Sequence, residues 1–262
     1  MKKIISSQLY QLHCKLSLLR ITLLMTVGIA AMGLLVTATS EGEKSAGALF
    51  LEGNGLSWIF QIMFIGIMCG VICAGDFGEK DLNYELMNGH SRLSSYAARV
   101  FICVAFTSVV ATLLAFAPYI ATALVYGWGD RINARDICIR TALFFFPFMR
   151  MASFFSMLAF LVKKQSVVIT LGFLSEMGCI ILNNVILNKV GYMLGIFNLT
   201  ELMNVGDFSL YNVVPGRGVV EYTVCEGALD PGVAAGTVIV SLVMSAVYLV
   251  AGYAFFRRDD LD

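Results

Sequence analysis

The chain has 262 residues, of which 58% are hydrophobic and 14% are charged, and its mean hydropathy is +0.81. A water-soluble domain of this size could not bury so much apolar surface, so the composition indicates an integral membrane protein. The formal net charge is zero, which gives no basic excess for binding nucleic acid. The seven cysteines lack the close paired spacing of metal sites, so we expect no metal centre.

The first residues predict a short helix on the membrane surface. Ile5, Leu9, Leu12 and Leu16 recur at helical spacing, and the positions between them are mostly polar. An amphipathic helix of this kind lies in the interface plane rather than crossing the bilayer.

Apolar runs along the rest of the chain are long enough to cross a bilayer, which takes about 20 residues of helix. Backbone groups in lipid must be hydrogen-bonded within the chain, so we expect these runs to be helices. The sequence therefore predicts an all-α polytopic membrane protein with a single membrane domain and about six transmembrane helices. The predicted spans lie near 20–39, 57–75, 98–126, 138–162, 166–188 and 233–256.

Basic residues flanking the spans set the predicted orientation, because cytoplasmic loops carry the excess of Lys and Arg. They gather before the first span, between the second and third, between the fourth and fifth, and after the last. This pattern places both termini in the cytoplasm. The basic residues on that side are Lys2, Lys3, Lys15, Arg20, Lys80, Arg92, Arg99, Lys163, Lys164, Arg257 and Arg258.

A charged segment, residues 76–92, joins the second and third predicted spans on the cytoplasmic side. Leu82, Leu86 and Phe77 form one apolar side of a short helix there. Such an amphipathic element is suited to contact a soluble partner, although a solvated connector would look the same at this level.

Two ionisable residues fall inside predicted spans, Arg150 in the fourth and Glu176 in the fifth. If the turn between these spans lies near Lys164, their helical rises from it are roughly 21 Å and 18 Å, so they reach nearly the same depth. A lone charge in lipid is costly, so we expect a membrane-embedded ion pair. Such a pair could hold two helices in register or belong to a substrate path.

The connection before the last predicted span, residues 189–232, is about 44 residues long and is expected on the outer side, where it could fold over the mouth of a pathway. Pro118 and Pro147 lie inside the third and fourth spans and permit kinks there.

Several catalytic signatures are missing from the sequence. There is no GxxxxGK[ST] string to hold nucleotide phosphates, and the only histidines are His13 and His90, at predicted cytoplasmic positions. The chain is therefore not expected to be an enzyme or to carry a cofactor itself.

The 76–92 segment resembles the same loop in permease subunits of the type 2 ABC transporter family, chiefly bacterial exporters. In that family the loop opens with an acidic residue and an aromatic, passes through an amphipathic turn, and closes with Gly or Pro, any residue, Ser and Arg. The long outer connection and the ending FFRRDDLD also resemble the family. The matching loop residues are Asp76, Phe77, Leu82, Leu86, Gly89, Ser91 and Arg92.

This resemblance implies that residues 76–92, including Glu85, are the coupling helix that seats in a separate ATPase subunit, which holds the ATP and Mg²⁺. It also implies a second permease subunit, the plasma membrane of a bacterium, and export of an antimicrobial peptide or drug-like amphiphile, as in bacteriocin self-protection. Two alternatives stay open. One is an ion-coupled secondary transporter with Glu176 as proton site, and the other is a non-transporting membrane sensor or anchor.

Overall fold

The computed structural model describes most of the chain, and all structural statements below refer to that part. The N-terminal surface helix that the sequence predicts, and the 76–92 segment up to residue 90, lie almost entirely outside it. The described residues are 6, 10, 16–40, 42–52, 57–75, 91–130, 132–185, 199, 202–203, 208–214, 218–224 and 229–258.

Four helical segments in the described part are long and apolar enough to cross a membrane: Leu18–Thr39, Arg92–Tyr126, Ala134–Val162 and Pro231–Arg257. They coincide with the first, third, fourth and sixth predicted spans, so the membrane class that the composition indicated is supported. We name the helices α1 (Leu16–Thr39), α4 (Arg92–Tyr126), α5 (Ala134–Leu143), α6 (Phe145–Val162) and α8 (Pro231–Arg258).

The second and fifth predicted spans are also helical, but they are not among those four. Helix α3 (Ser57–Cys69) continues into a π-helical segment, Gly70–Ala74, and helix α7 covers Gln165–Val185. The apolar helical stretch Ile59–Ala74 is short for a full crossing. The described structure therefore shows four candidate spans, and the count of six stays a prediction.

The two prolines inside predicted spans behave differently. Helix α4 runs through Pro118 without interruption, and Gly33 of α1 packs against this proline. The fourth predicted span is divided at Phe144 into α5 and α6, three residues before Pro147. Pro147 has no backbone N–H, so it cannot donate the helical hydrogen bond to the carbonyl of Leu143. Its ring also crowds that carbonyl, and together these two effects account for the break.

Helix α6 lies at the centre of the bundle and contacts α3, α4, α7 and α8. Its aromatic residues Phe148, Phe155 and Phe160 are buried in the main core. Peripheral helices α1, α4 and α8 instead expose large apolar side chains along one face, as a lipid environment allows. These side chains include Leu19, Leu23, Leu24, Phe101, Leu113, Leu124, Ile239, Val243, Val247 and Val250.

A second, smaller core closes the end of the bundle where α1 and α4 finish, the end that the sequence assigns to the outer side. The short helix α2 (Ala46–Glu52) packs there against the loop after α4. The backbone N–H of Gly47 donates to the carbonyl of Trp128 at 3.0 Å, and that of Ala46 donates to the carbonyl of Gly127 at 3.1 Å. The buried residues of this core are Leu49, Phe50, Tyr119, Ile132 and Ile137.

The membrane-spanning part is helical throughout its described length, as predicted, but the outer connection adds a β-hairpin that the all-α expectation did not include. Strands β1 (Phe208–Val214) and β2 (Gly218–Val224) are antiparallel, and Phe208 pairs with Val224 and Val214 with Gly218. Their valine-rich sequence is a strand signal. At seven residues a strand, this signal is weak beside that of the long apolar spans.

Candidate functional site

Arg150 on α6 and Glu176 on α7 are both fully buried, at 0% exposure. Their helices are in contact, and the two charges interact electrostatically. Neither oxygen of the Glu176 carboxyl has a hydrogen-bond partner within the described part of the chain. The predicted pair of residues thus lies on adjacent helices, but in this structure the guanidinium does not donate directly to the carboxylate.

Arg150 also interacts electrostatically with Tyr248 of α8. A buried carboxyl without donors is unfavourable by several kcal/mol unless a nearby charge compensates it. Arg150 supplies that charge. Because ionisable groups at membrane depth usually mark proton, ion or substrate contacts, this position is the strongest candidate for chemistry inside the bundle.

Close packing around Phe155 fixes the helices that carry these charges. A Cβ placed on Gly172 of α7 would fall within the ring of Phe155, and one placed on Gly66 of α3 would lie 2.8 Å from it. Phe155 therefore fills a space that exists only because both neighbours are glycine. Small residues of this kind allow helices to approach closely in membranes.

Three cysteines meet inside the bundle, and sequence reasoning missed the approach of Cys103. Cys69 and Cys73 belong to α3 and its π-helical extension, and Cys103 comes from α4. Ser156 of α6 donates to the sulfur of Cys103 at 3.6 Å and to that of Cys69 at 4.0 Å. Cys69 in turn donates to the carbonyl of Ala152 at 3.6 Å. Only the bundle could reveal this, since Cys103 is far away in sequence.

These thiols are buried and hydrogen-bonded, which fits a packing role for three polarisable side chains. Among the described residues, no group of three or more His, Cys, Asp or Glu side chains is placed to hold a metal ion.

Small polar residues recur along one face of α8. Thr237, Ser241 and Ser245 recur every fourth residue and are buried. Ser153 of α6 is buried as well and donates its hydroxyl to the carbonyl of Met149 at 2.8 Å. Helix α8 packs chiefly on α6, and small residues of this kind allow helices to approach closely in lipid.

The coupling residues that the sequence singled out are described only at their last two positions. Ser91 caps α4 by accepting from the backbone N–H of Ser94 at 3.3 Å. Arg92 begins the helix and donates to the carbonyl of Arg257 in α8 at 3.3 Å. Asp76, Phe77, Leu82, Glu85, Leu86 and Gly89 lie outside the described residues.

Two leucines of the connection between α7 and α8 pack onto the bundle. Leu199 and Leu202 are buried in the main core. Arg140 of α5 is also buried and donates to the carbonyl of Leu202 at 2.9 Å. This charged hydrogen bond attaches the connection to α5. That the connection covers the mouth of a pathway stays a prediction.

Comparison with known proteins adds no family to this picture. A scan against protein-family models finds no match, and a search of curated proteins finds no significant relative. The functional proposal below therefore rests on this chain's own residues and on the resemblance carried by residues 76–92 and by the layout of the spans.

Proposed function

We propose that the chain is the membrane-spanning permease subunit of an ATP-driven ABC exporter that moves an antimicrobial peptide or a similar amphiphile. The observation that carries the proposal is the order and spacing of the loop residues from Asp76 to Arg92, in a chain with spanning helices and no nucleotide-binding string. In this proposal ATP and Mg²⁺ bind a partner ATPase. Two permease subunits, each with six spans, line the transport path between them in a bacterial plasma membrane.

The junction between this segment and α4 supports a mechanical role. Ser91 fixes the start of a helix of 35 residues, so a displacement of the loop would be carried along a continuous rod. The loop also follows α3 and its π-helical extension, which contact α4, α6 and α7. Nucleotide-driven movement of the partner would thus bias two packed helices between two arrangements.

The first test removes the charge of Glu85 while keeping its shape. We expect Glu85→Gln to lower transport-coupled ATP hydrolysis at least tenfold, because neutralising one member of a charged pair at a protein interface commonly costs about 2 kcal/mol or more. The measurement is the ATPase rate of the purified complex in lipid nanodiscs, with and without substrate.

Asp130→Asn provides the matched control, since Asp130 is an exposed acid beyond the opposite end of α4. It should leave the rate unchanged, and both variants should insert into the membrane normally. Unchanged coupling in Glu85→Gln, followed by unchanged coupling when residues 76–90 are replaced by a Gly/Ser linker, would refute the assignment.

Glu176 favours a second candidate, an ion-coupled secondary transporter. Its buried carboxyl lacks hydrogen-bond donors within the described residues, and a proton or cation would satisfy it. In that case an imposed pH gradient would drive flux without ATP, and Glu176→Gln would abolish it.

A further inference from the structure

The hydroxyl of Tyr96 joins the first turns of α4 to α8. It donates to the backbone carbonyl of Leu249 at 2.7 Å, and the residue as a whole is only 5% exposed. Tyr96 lies four residues after Arg92, about 6 Å along the helix from the end of the 76–92 segment. Ser95 before it is also buried but its hydroxyl has no hydrogen-bond partner among the described residues, so Tyr96 is the buried side chain that ties this end of α4 to another helix.

An aromatic cluster surrounds the same ring. Its members are Tyr96, Phe160 of α6, and Tyr253 and Phe256 of α8. The ring centroid of Tyr96 lies 4.7 Å from that of Phe160, 5.5 Å from that of Tyr253 and 5.8 Å from that of Phe256. Phe160 and Phe256 also touch edge to face at 5.5 Å. One side chain of α4 is thus held by the ends of both α6 and α8.

Gly252 makes the hydrogen bond possible. A Cβ at this position would lie 2.5 Å from the Tyr96 hydroxyl and 3.4 Å from the backbone of Met157. The hydroxyl can reach the surface of α8 only because this residue carries no side chain. The packed rings leave Tyr96 little freedom to move aside.

The contacts between α4 and α8 are otherwise few, whereas α8 packs along much of α6. Two of the bonds between α4 and α8 come from Arg92 and Tyr96, both at the start of α4. A displacement of that end of α4 would therefore reach α8 through these residues. Arg92 contributes an exposed bond at 3.3 Å, so Tyr96 is the stronger link.

We infer that Tyr96 is a positioning residue, which transmits movement of the coupling helix to α6 and α8 through its hydrogen bond to Leu249 and through the aromatic cluster. This inference rests on the proposed function. It makes α8 part of the moving unit, so that nucleotide-driven closure would shift α6 and α8 together with α4.

Two variants test it by different routes. Tyr96→Phe keeps the ring and removes only the hydroxyl, and Gly252→Ala keeps the hydroxyl but obstructs its approach. Each has a control of the same chemical kind on α8: Tyr253→Phe removes a phenolic hydroxyl from the same cluster, and Gly236→Ala adds a methyl group where no atom lies within 4 Å. All four are measured in the purified complex with its ATPase in nanodiscs.

We expect both test variants to lose at least fivefold in substrate-stimulated ATP hydrolysis, with thermal midpoints within a few degrees of the controls. Backbone amides near Leu249 should also exchange faster in Tyr96→Phe than in Tyr253→Phe. Stimulation within twofold of wild type in Tyr96→Phe would overturn the inference, as would an equal loss in the controls. A wild-type complex without stimulated hydrolysis would instead contradict the proposed function itself, and the inference with it.

Discussion

Replacing Arg150 by methionine is expected to destabilise the protein by about 3–5 kcal/mol at a pH where Glu176 is ionised, because it leaves the buried carboxylate without a compensating charge. Methionine has a similar length and fits an apolar site, so lost volume contributes little. The measurement is the free energy of unfolding from a denaturant titration in detergent micelles.

Two further variants isolate the electrostatic part. Arg135→Met makes the same change at an exposed position on α5 and should stay within about 0.5 kcal/mol of wild type. Glu176→Gln in the Arg150→Met background should recover part of the loss, with a coupling energy of about 0.5–3 kcal/mol. Strictly additive effects would show that the two residues do not act as a pair.

Replacing Gly172 by alanine is expected to destabilise the bundle by about 1–3 kcal/mol or more, because a methyl group there overlaps the ring of Phe155. The ring of Phe155 extends from α6 and is fully buried between α3 and α7, so it cannot turn away from one of these helices without disturbing the other. The thermal midpoint of the detergent-solubilised protein measures the effect.

Gly178→Ala is the control on the same helix, since nothing lies within 4 Å of the added carbon. It should be neutral or slightly stabilising, because alanine favours helix over glycine by about 1 kcal/mol. Equal midpoints for the two variants would mean that α7 does not pack on Phe155 as described.

Hydropathy located the spanning helices well because it is a local property of the chain. The run predicted at 20–39 corresponds to Leu18–Thr39, and that at 233–256 to Pro231–Arg257. The two prolines permitted a break in each of their spans, and the helix is divided only near Pro147. Neighbouring helices decide whether the carbonyl that loses its hydrogen bond to proline interrupts the helix. Ser91 was singled out only as a loop residue and proved to be the cap of α4, although serine before a helical run is a common N-terminal signal.

Contacts between distant residues could not be read in the same way. The depth argument placed Arg150 and Glu176 on neighbouring helices, yet the rotamers that keep them from bonding directly depend on packing. Tyr96 meets Gly252, and Cys69 meets Cys103, only because the bundle brings separate helices together. A single sequence carries no signal for such pairings.

Photo-cross-linking from position 85 in intact cells tests the central claim most directly. A photoreactive amino acid placed there should form a covalent product with a soluble nucleotide-binding ATPase, and the same probe at position 130 should not. Products formed only with lipid, or labelling of position 85 by a reagent confined to the outside of the cell, would contradict the assignment of this chain as an ABC permease.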